Sequence, residues 1–156
     1  MAGSSRHVVC PHCQAVNRVP ADRQAKRANC GSCHRPLFTG KPFAATGESL
    51  DRHLTRNHVP VVVDFWAPWC GPCRTMAPAY ESAAAELEPD YRLLKVNTEE
   101  EPALASCYDV RGIPMLILFA EGTPKARTSG AMTTAGIVAW VRAHRQVPPQ
   151  AASAGG

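Results

Sequence analysis

The pattern of apolar and polar positions changes near residue 48, and from there strand-like and helix-like segments alternate. Residues 59–66 are rich in β-branched and aromatic side chains, which favours a buried strand. Apolar side chains recur at helical spacing from Cys73 to Leu87, so this segment predicts a helix. Pro78 inside it predicts a kink, because proline has no amide hydrogen for the backbone ladder.

The remaining segments carry the same two kinds of signal. They are a helix over 49–57, a strand over 91–97, a strand over 114–120, a polar edge strand over 125–130 and a last helix after 133. Thr98 to Glu101 match a capping box that opens a further helix reaching about Tyr108, and Thr133 is expected to cap the last one. This order predicts an α/β fold whose mixed central sheet is flanked by helices on both faces.

The first 40 residues are different, since they lack long apolar runs and are interrupted by Pro and Gly. A segment this short usually needs a metal ion or disulfide bonds to fold. We therefore expect a small module over residues 1–40, a connector over 41–47 and the α/β domain over 48–147. Residues 148–156 begin with a proline pair that should stop the last helix, and they are small and polar, so a disordered tail is expected there.

Composition and charge exclude several classes of protein. The chain has 156 residues, of which 45% are hydrophobic and 19% are charged, a balance typical of globular proteins. The net charge is +4, and the basic excess lies in residues 1–59, but no dense basic run is present, so nucleic-acid binding is not expected. No apolar run is long enough to span a membrane, and the first residues lack the apolar core of a signal peptide. We expect a cytoplasmic protein.

Seven cysteines are the unusual feature of this composition, and six of them form Cys-x-x-Cys pairs. Under reducing conditions such pairs more often indicate metal binding or catalysis than structural disulfides. The first two pairs have the spacing of a four-cysteine zinc site, with the ligands Cys10, Cys13, Cys30 and Cys33. Four protein ligands leave no open position, so a single Zn²⁺ here would be structural. Two disulfides or an iron–sulfur cluster are the alternatives.

The third pair, Cys70 and Cys73, lies where the predicted strand passes into the predicted helix. The unpaired amide groups at a helix start stabilise an anion, which favours Cys70 as a nucleophilic thiolate. Cys73 is three residues further on and faces the same side, so it can act as the resolving thiol. Gly71 allows a target backbone to approach closely, and Pro72 stiffens the turn. Asp64 falls in a buried run, where a raised pKa makes a carboxyl group a candidate proton acceptor.

These motifs resemble the thioredoxin family. The resemblance rests on Trp69-Cys-Gly-Pro-Cys73, on Lys95, on Arg111-Gly-Ile-Pro114 and on Gly130, and it covers about residues 48–146. With the leading cysteine pairs it extends over nearly the whole chain and is similar to the bacterial zinc-containing members. It implies a thioredoxin fold preceded by a small zinc-ribbon-like module.

The resemblance also implies roles for individual residues. Asp64, assisted by Lys95, deprotonates Cys73; alternatively, Asp64 pairs with Lys95 only structurally. Pro114 follows a cis peptide bond, and Met115 stands where many family members have Thr. Trp66 packs beneath the site. The expected contact surface for targets consists of Trp69, Gly71, Pro72, Gly112, Ile113, Pro114 and Gly130.

The implied activity is reduction of protein disulfides, with recycling by thioredoxin reductase and NADPH, in redox homeostasis and oxidative stress defence. Implied targets include ribonucleotide reductase and methionine sulfoxide reductases, and a monomer is expected. The chain has no dinucleotide-binding fingerprint of its own. An oxidant or isomerase of the same fold, and a zinc-ribbon binding module, are the alternatives. Strong oxidants are expected to eject the zinc. Cys107 is expected to be a buried, inert thiol, with a regulatory thiol as the alternative.

Overall fold

The structure, a computed structural model, describes residues 5–144 apart from the side chains of residues 23 and 24. A five-stranded sheet lies at its centre, in the order β3-β5-β4-β6-β7. β3 and β4 both run parallel to β5, while β6 and β7 are antiparallel to their neighbours. The strands are β3 (Phe43–Ala44), β4 (Val61–Trp66), β5 (Arg92–Asn97), β6 (Met115–Ala120) and β7 (Thr123–Ser129).

Burial explains this order of strands. β4 and β6 consist almost entirely of buried side chains and take central positions. β7 is mostly polar and exposed, and it forms an edge as the sequence predicts. The helices are α1 (Gly47–Arg56), α2 (Gly71–Leu87), α3 (Pro102–Cys107) and α4 (Thr134–Ala143). The predicted mixed sheet with helices on both faces is confirmed.

Each face of the sheet has its own core. α2 and α4 cover one face, where Tyr80 is fully buried among side chains such as Leu93 and Leu118. α1 and α3 cover the other face, around Phe65 and Ile117. Within residues 5–144 no helix has both the length and the apolar character needed to cross a bilayer.

The first residues form a separate small module with a core of its own. The hairpin of β1 (Ser5–Val9) and β2 (Val16–Pro20) is followed by a 3₁₀ helix (Arg23–Arg27). Its interior contains the side chains of Val8, Cys10, Val19, Ala25, Cys30, Leu37 and Phe38. Residues 1–4 and 145–156 lie outside the described part of the chain, and so do the predicted tail and the proline pair expected to end α4.

A buried arginine joins this module to the sheet. Arg92 opens β5, is fully buried and donates hydrogen bonds to the carbonyl oxygens of Val9 (3.1 Å) and Leu37 (2.9 Å). Its guanidinium pairs with Glu88 at 3.4 Å, and the second oxygen of Glu88 accepts from the Gly40 amide at 2.7 Å. Arg92 lies opposite Val61 at the start of β4, so the module docks at the end of the sheet where the parallel strands begin.

Two local features differ from the sequence-based expectations. Phe43–Ala44, within the expected connector, pairs with Leu94 and Lys95 as the edge strand β3, because the neighbouring strand leaves its backbone groups open there. The capping box predicted at Thr98 is wrong, since α3 begins only after Glu101. The Thr98 hydroxyl donates instead to the Trp66 carbonyl oxygen at 3.2 Å, which fastens the end of β5 to β4.

Candidate functional site

The Cys70 and Cys73 pair lies at the first turn of α2, just beyond the end of β4. Cys70 is the N-cap residue, and a disulfide joins it to Cys73, with 5.2 Å between the Cα atoms. The amide group of Cys73 donates to the Cys70 sulfur at 3.2 Å, so an unpaired helix amide points at this atom. Both side chains are almost inaccessible, with 4% of Cys70 and 3% of Cys73 exposed. The geometry suits a thiolate at Cys70 once the pair is reduced.

An open surface surrounds the pair. Trp69 is 66% exposed, although tryptophan usually lies largely buried. Gly71, Pro72 and Gly112 are exposed as well, and a Cβ atom on either glycine would meet no atom within 4 Å. A partner backbone can therefore approach the disulfide without displacing a side chain.

A proline loop forms the opposite rim of this surface. The Ile113–Pro114 peptide bond is cis, as the family resemblance implies. The Ile113 carbonyl oxygen lies 3.9 Å from the Cys70 sulfur, and the Ile113 side chain packs against the cluster of Ala67, Cys70 and Cys73. The Gly130 amide donates to the Pro114 carbonyl oxygen at 2.9 Å, with Gly130 itself at a φ of 101° that favours glycine. The structure thus brings the loop, Gly130 and the cysteine pair to one place.

Asp64 lies in the interior of β4, with 1% of its surface exposed. Its Oδ1 atom has no hydrogen-bond partner among the described residues. Burial raises the pKa of this carboxyl group to about 7, against a smaller opposing effect from the Lys95 charge. Lys95 is the cross-strand neighbour of Asp64, and its ammonium group lies 4.7 Å from the centre of the Trp66 ring. An ionisable group with a pKa near neutral pH is therefore buried in β4, the strand that leads to Cys70.

A second cysteine cluster lies in the N-terminal module. The sulfur atoms of Cys10, Cys13, Cys30 and Cys33 all lie within 4.8 Å of one another. The sulfur atoms of Cys10 and Cys33 are 3.6 Å apart, and so are those of Cys13 and Cys30. A tetrahedral ion with Zn–S bonds of about 2.3 Å places its sulfurs about 3.8 Å apart. A disulfide would need only about 2.05 Å, so the arrangement fits a four-thiolate metal site.

The two halves of this cluster have the same backbone geometry. In each, the residue after the second cysteine, Gln14 or His34, is left-handed, with φ of 64° and 67°. Its amide donates to the carbonyl oxygen of the first cysteine at 2.9 Å. The amides of His12 and Ser32 each donate to the first sulfur of their half at 3.3 Å. Each of the two turns therefore directs two sulfur atoms towards the centre of the same four-sulfur cluster.

The donor set also favours a bound cation on electrostatic grounds. Burial raises the pKa of the Cys10 thiol to about 12. Amide donors, that of Cys33 first, lower the pKa of Cys30 to about 6. A divalent cation would hold all four groups as thiolates and compensate the burial of their charge. The His12 ring contacts the edge of Phe43 and lies 3.2 Å from the Pro36 carbonyl oxygen, outside the four-sulfur cluster.

Comparisons with known proteins agree with this geometry. The family model for thioredoxin matches residues 41–143, and a second model, for the N-terminal part of thioredoxin 2, matches residues 9–35. Thioredoxin C-3 of Corynebacterium nephridii is 37% identical over 134 residues, covering 86% of this chain and 92% of that protein. The chain belongs to the thioredoxin family.

Other relatives extend this picture of a thioredoxin. The chloroplastic M-type thioredoxin of Chlamydomonas reinhardtii is 39% identical over 138 residues, covering 88% of this chain and 94% of that protein. The solved structure of a mutant thioredoxin from Halobacterium salinarum superposes with a TM-score of 0.63 at 32% identity, covering 72% of this chain and 97% of that one. Fold and relatives together make the chain a protein-disulfide reductase with a thioredoxin domain and a cysteine cluster that can hold a metal ion.

The expectation for Cys107 is wrong, because its side chain is exposed. α3 has only six residues and buries none of them, so the apolar stripe of Leu104 and Tyr108 does not extend to Cys107.

Sequence reasoning also missed the Arg74 side chain, which donates to the Pro68 carbonyl oxygen at 2.9 Å and closes the turn that carries Cys70. No sequence signal identifies that contact, since the arginine is an ordinary exposed helix residue.

Proposed function

We propose that the chain reduces protein disulfides with Cys70 as nucleophile and Cys73 as resolving thiol, and that thioredoxin reductase restores the dithiol with electrons from NADPH. The observation that carries this assignment is the Cys73 amide, which donates to the Cys70 sulfur at 3.2 Å at the start of α2. A helix amide in this position lowers the energy of the thiolate, the form that attacks a disulfide.

The reaction balances in two steps. The Cys70 thiolate attacks one sulfur of the target disulfide, a new S–S bond forms between Cys70 and the target, and the other target sulfur leaves as a thiolate that takes up a proton. The Cys73 thiolate then attacks the Cys70 sulfur, and the second target sulfur leaves. The target gains two electrons and two protons, and the Cys70–Cys73 disulfide remains, as seen in the structure.

Asp64 is proposed as the base for the second step. Its pKa of about 7 lets it accept a proton at neutral pH. Lys95, beside it on β5, stabilises the carboxylate, because its charge opposes the effect of burial on the pKa. The alternative, a structural pair with Lys95, leaves the unpartnered Oδ1 of Asp64 without an explanation.

Target proteins are proposed to bind across the exposed surface beside the disulfide. The exposed backbone and the tryptophan of this surface suit an extended peptide that flanks a disulfide. Such a surface tolerates many target sequences. The surface comprises Trp69, Gly71, Pro72, Gly112, Ile113, Pro114 and Gly130. Ribonucleotide reductase and methionine sulfoxide reductases are proposed targets, in a cytoplasmic role in redox homeostasis and oxidative stress defence.

Zinc is the proposed metal of the N-terminal module, which we place at residues 1–40. Cys10, Cys13, Cys30 and Cys33 would hold the ion, and it would supply folding energy to a module with a small core. Four thiolates leave no position for a substrate, so the module takes no part in the chemical steps.

A trapping experiment tests the assignment of the two thiols. Cys73→Ser should accumulate a mixed disulfide between Cys70 and a protein target, because the resolving thiol is missing. Cys70→Ser should form none, and Cys107→Ser, which changes an exposed thiol outside the site, should reduce insulin like the parent protein. Insulin reduction coupled to thioredoxin reductase measures turnover as NADPH consumption. A mixed disulfide at Cys73 or Cys107 in the parent chain would overturn the assignment.

A further inference from the structure

Arg127 on the edge strand β7 reaches across to the end of α3. Its Nη1 atom donates to the carbonyl oxygens of Tyr108 at 2.8 Å and Asp109 at 3.4 Å. The same nitrogen lies 3.8 Å from the sulfur of Met115. A single cationic group therefore touches the end of a helix and the residue directly after the cis proline.

Those carbonyl groups belong to the segment that leads into the proline loop. The last carbonyl groups of a helix have no partner within it, and a cation supplies both a donor and a favourable charge. Asp109 has a φ of 55°, a left-handed conformation that is uncommon for non-glycine residues and that aspartate adopts more readily than most. Only three residues separate Asp109 from Ile113, so the position of this turn sets the position of the loop.

β7 holds the far end of the same segment. Gly130, directly after the strand, donates its amide to the Pro114 carbonyl oxygen at 2.9 Å. Arg127 and Gly130 thus fasten residues 109–114 at both ends, and the Ile113 carbonyl oxygen between them lies 3.9 Å from the Cys70 sulfur. The tie at Gly130 needs no side chain, whereas at Asp109 the two hydrogen bonds from Arg127 add to those that the amides of Asp109 and Val110 donate to α3.

We propose that Arg127 is a positioning residue for protein targets, which fixes the segment 109–114 so that Ile113 and Pro114 meet a target peptide beside Cys70. The proposal rests on the proposed role of these two residues as target contacts. Arg127 touches neither the disulfide nor its sulfurs, so its effect is confined to substrates that contact the loop. A small aromatic disulfide reacts with Cys70 without a flanking peptide and does not need the loop.

The two substrate classes give the test. Reduced protein is mixed with insulin or with a small aromatic disulfide, and the single-turnover rate is measured for Arg127→Ala, Arg127→Lys and Lys125→Ala. Arg127→Ala should react about fivefold more slowly with insulin, equivalent to about 1 kcal/mol, and at the parent rate with the small disulfide. In steady-state turnover coupled to thioredoxin reductase, the insulin defect should appear as a higher KM. Arg127→Lys, which keeps a cationic donor, should recover part of the rate.

Lys125→Ala is the matched control, since it removes an exposed cation of the same strand that forms no hydrogen bond or ion pair with residues 109–114. It should react like the parent protein with both substrates. Hydrogen exchange should be faster at the amides of 109–113 in Arg127→Ala only. Equal insulin rates for Arg127→Ala and the parent, or equal losses on both substrates, would overturn the proposal. A parent protein that fails to reduce insulin at all would instead refute the proposed function.

Discussion

The carboxyl group of Asp64 combines an ionisable group with almost complete burial, and this combination has a cost. The group prefers to be neutral in the folded protein, because its surroundings offer little to stabilise a charge. Folding therefore raises its pKa from 3.8 to about 7. A residue that destabilises the fold at neutral pH but can exchange a proton there suits a catalytic role better than a structural one.

Asp64→Asn should stabilise the protein at alkaline pH. The folded state binds the Asp64 proton more tightly than the unfolded state does. The contribution of this proton to the free energy of unfolding is therefore fully present below pH 3.8 and is lost as the pH rises through about 7. The substitution should raise the free energy of unfolding by up to about 4 kcal/mol above pH 7, and by nothing near pH 4. Urea unfolding of the oxidised proteins across this pH range measures the difference.

The same variant separates the two catalytic steps. Formation of the mixed disulfide should proceed at the parent rate, while release of the reduced target should slow, because Cys73 has lost its base. If Asp64→Asn left both steps unchanged, Asp64 would be a structural residue only.

Individual residues differed in how far the sequence revealed them. The cysteine pairs could be recognised in the sequence because the two members of each pair are three residues apart. Asp64 could be recognised because it interrupts an apolar run. The interactions of Arg92 and Arg127 could not be recognised in the sequence. Both arginines bind backbone carbonyl groups that only the tertiary fold brings within reach. Because every residue has such a group, the sequence does not show which ones accept the hydrogen bonds.

At the scale of elements, the junction between the N-terminal module and the sheet is unusually polar for a buried contact. Arg92 and Glu88 form an ion pair that is almost completely buried, and Arg92 also lies 4.6 Å from the centre of the Phe38 ring. On the α1 side, the Asn57 side chain accepts a hydrogen bond from the Val9 amide at 2.8 Å. Val9 precedes the ligand candidate Cys10, so both contacts constrain the metal cluster.

Arg92→Met should weaken both the junction and the metal site. It leaves the Glu88 carboxylate buried without its cation and two carbonyl groups without their donor, which typically costs about 3–5 kcal/mol. Unfolding should show this loss, and a chelator should remove zinc at a lower concentration. Arg142→Ala, which removes an exposed arginine from α4, should stay within about 0.5 kcal/mol of the parent. Unchanged zinc retention in Arg92→Met would show that the module binds its metal independently of the sheet.

His53 makes the same junction sensitive to acid. It is buried on α1, and its Nδ1 atom lies 2.8 Å from the side-chain amide of Asn57. Burial, with a further contribution from the Arg92 charge, lowers the pKa of His53 from 6.5 to about 3. The folded state therefore keeps His53 neutral, so its contribution to stability is present above pH 6.5 and is lost as the pH falls towards about 3.

His53→Gln should flatten this acid dependence. Glutamine can hydrogen-bond to Asn57 but does not titrate, so the variant should lose up to about 4–5 kcal/mol less than the parent between pH 6.5 and pH 3. Protonation of the metal ligands also destabilises both proteins in acid. Only the difference between the parent and the variant therefore reports on His53. Parallel stability curves for parent and variant would contradict the burial of a neutral His53.

Most elements were predictable from the sequence, and the exceptions have physical reasons. β4, α2 and β6 carry long, consistent periodicities, and all three elements formed where they were predicted, while the kink at Pro78 stays a prediction. β3 is two residues long and exists only because β5 offers it an open edge, so no periodicity could reveal it. The sequence at Thr98 satisfies the capping-box pattern, but its hydroxyl group binds the Trp66 carbonyl oxygen and the helix starts later.

For the molecule as a whole, the central claim is a division of labour among the seven cysteines. The metal cluster belongs to the N-terminal module, which contacts Arg92 at the start of β5 and Phe43 on the edge strand β3, whereas the redox pair lies beyond the end of β4. The redox pair lies in a side-chain cluster with Ala67 that is distinct from the core of the module, so it can cycle between thiol and disulfide without contact with the four sulfurs that hold the module together.

One measurement tests that claim directly. The reduced, zinc-loaded protein is treated with one equivalent of a protein disulfide, and the same sample is analysed for bound zinc and, by differential alkylation and mass spectrometry, for the oxidation of each cysteine. The account predicts oxidation of Cys70 and Cys73 alone, with a single zinc ion retained per chain. Release of zinc, or oxidation of Cys10, Cys13, Cys30 or Cys33 while Cys70 and Cys73 stay reduced, would contradict it.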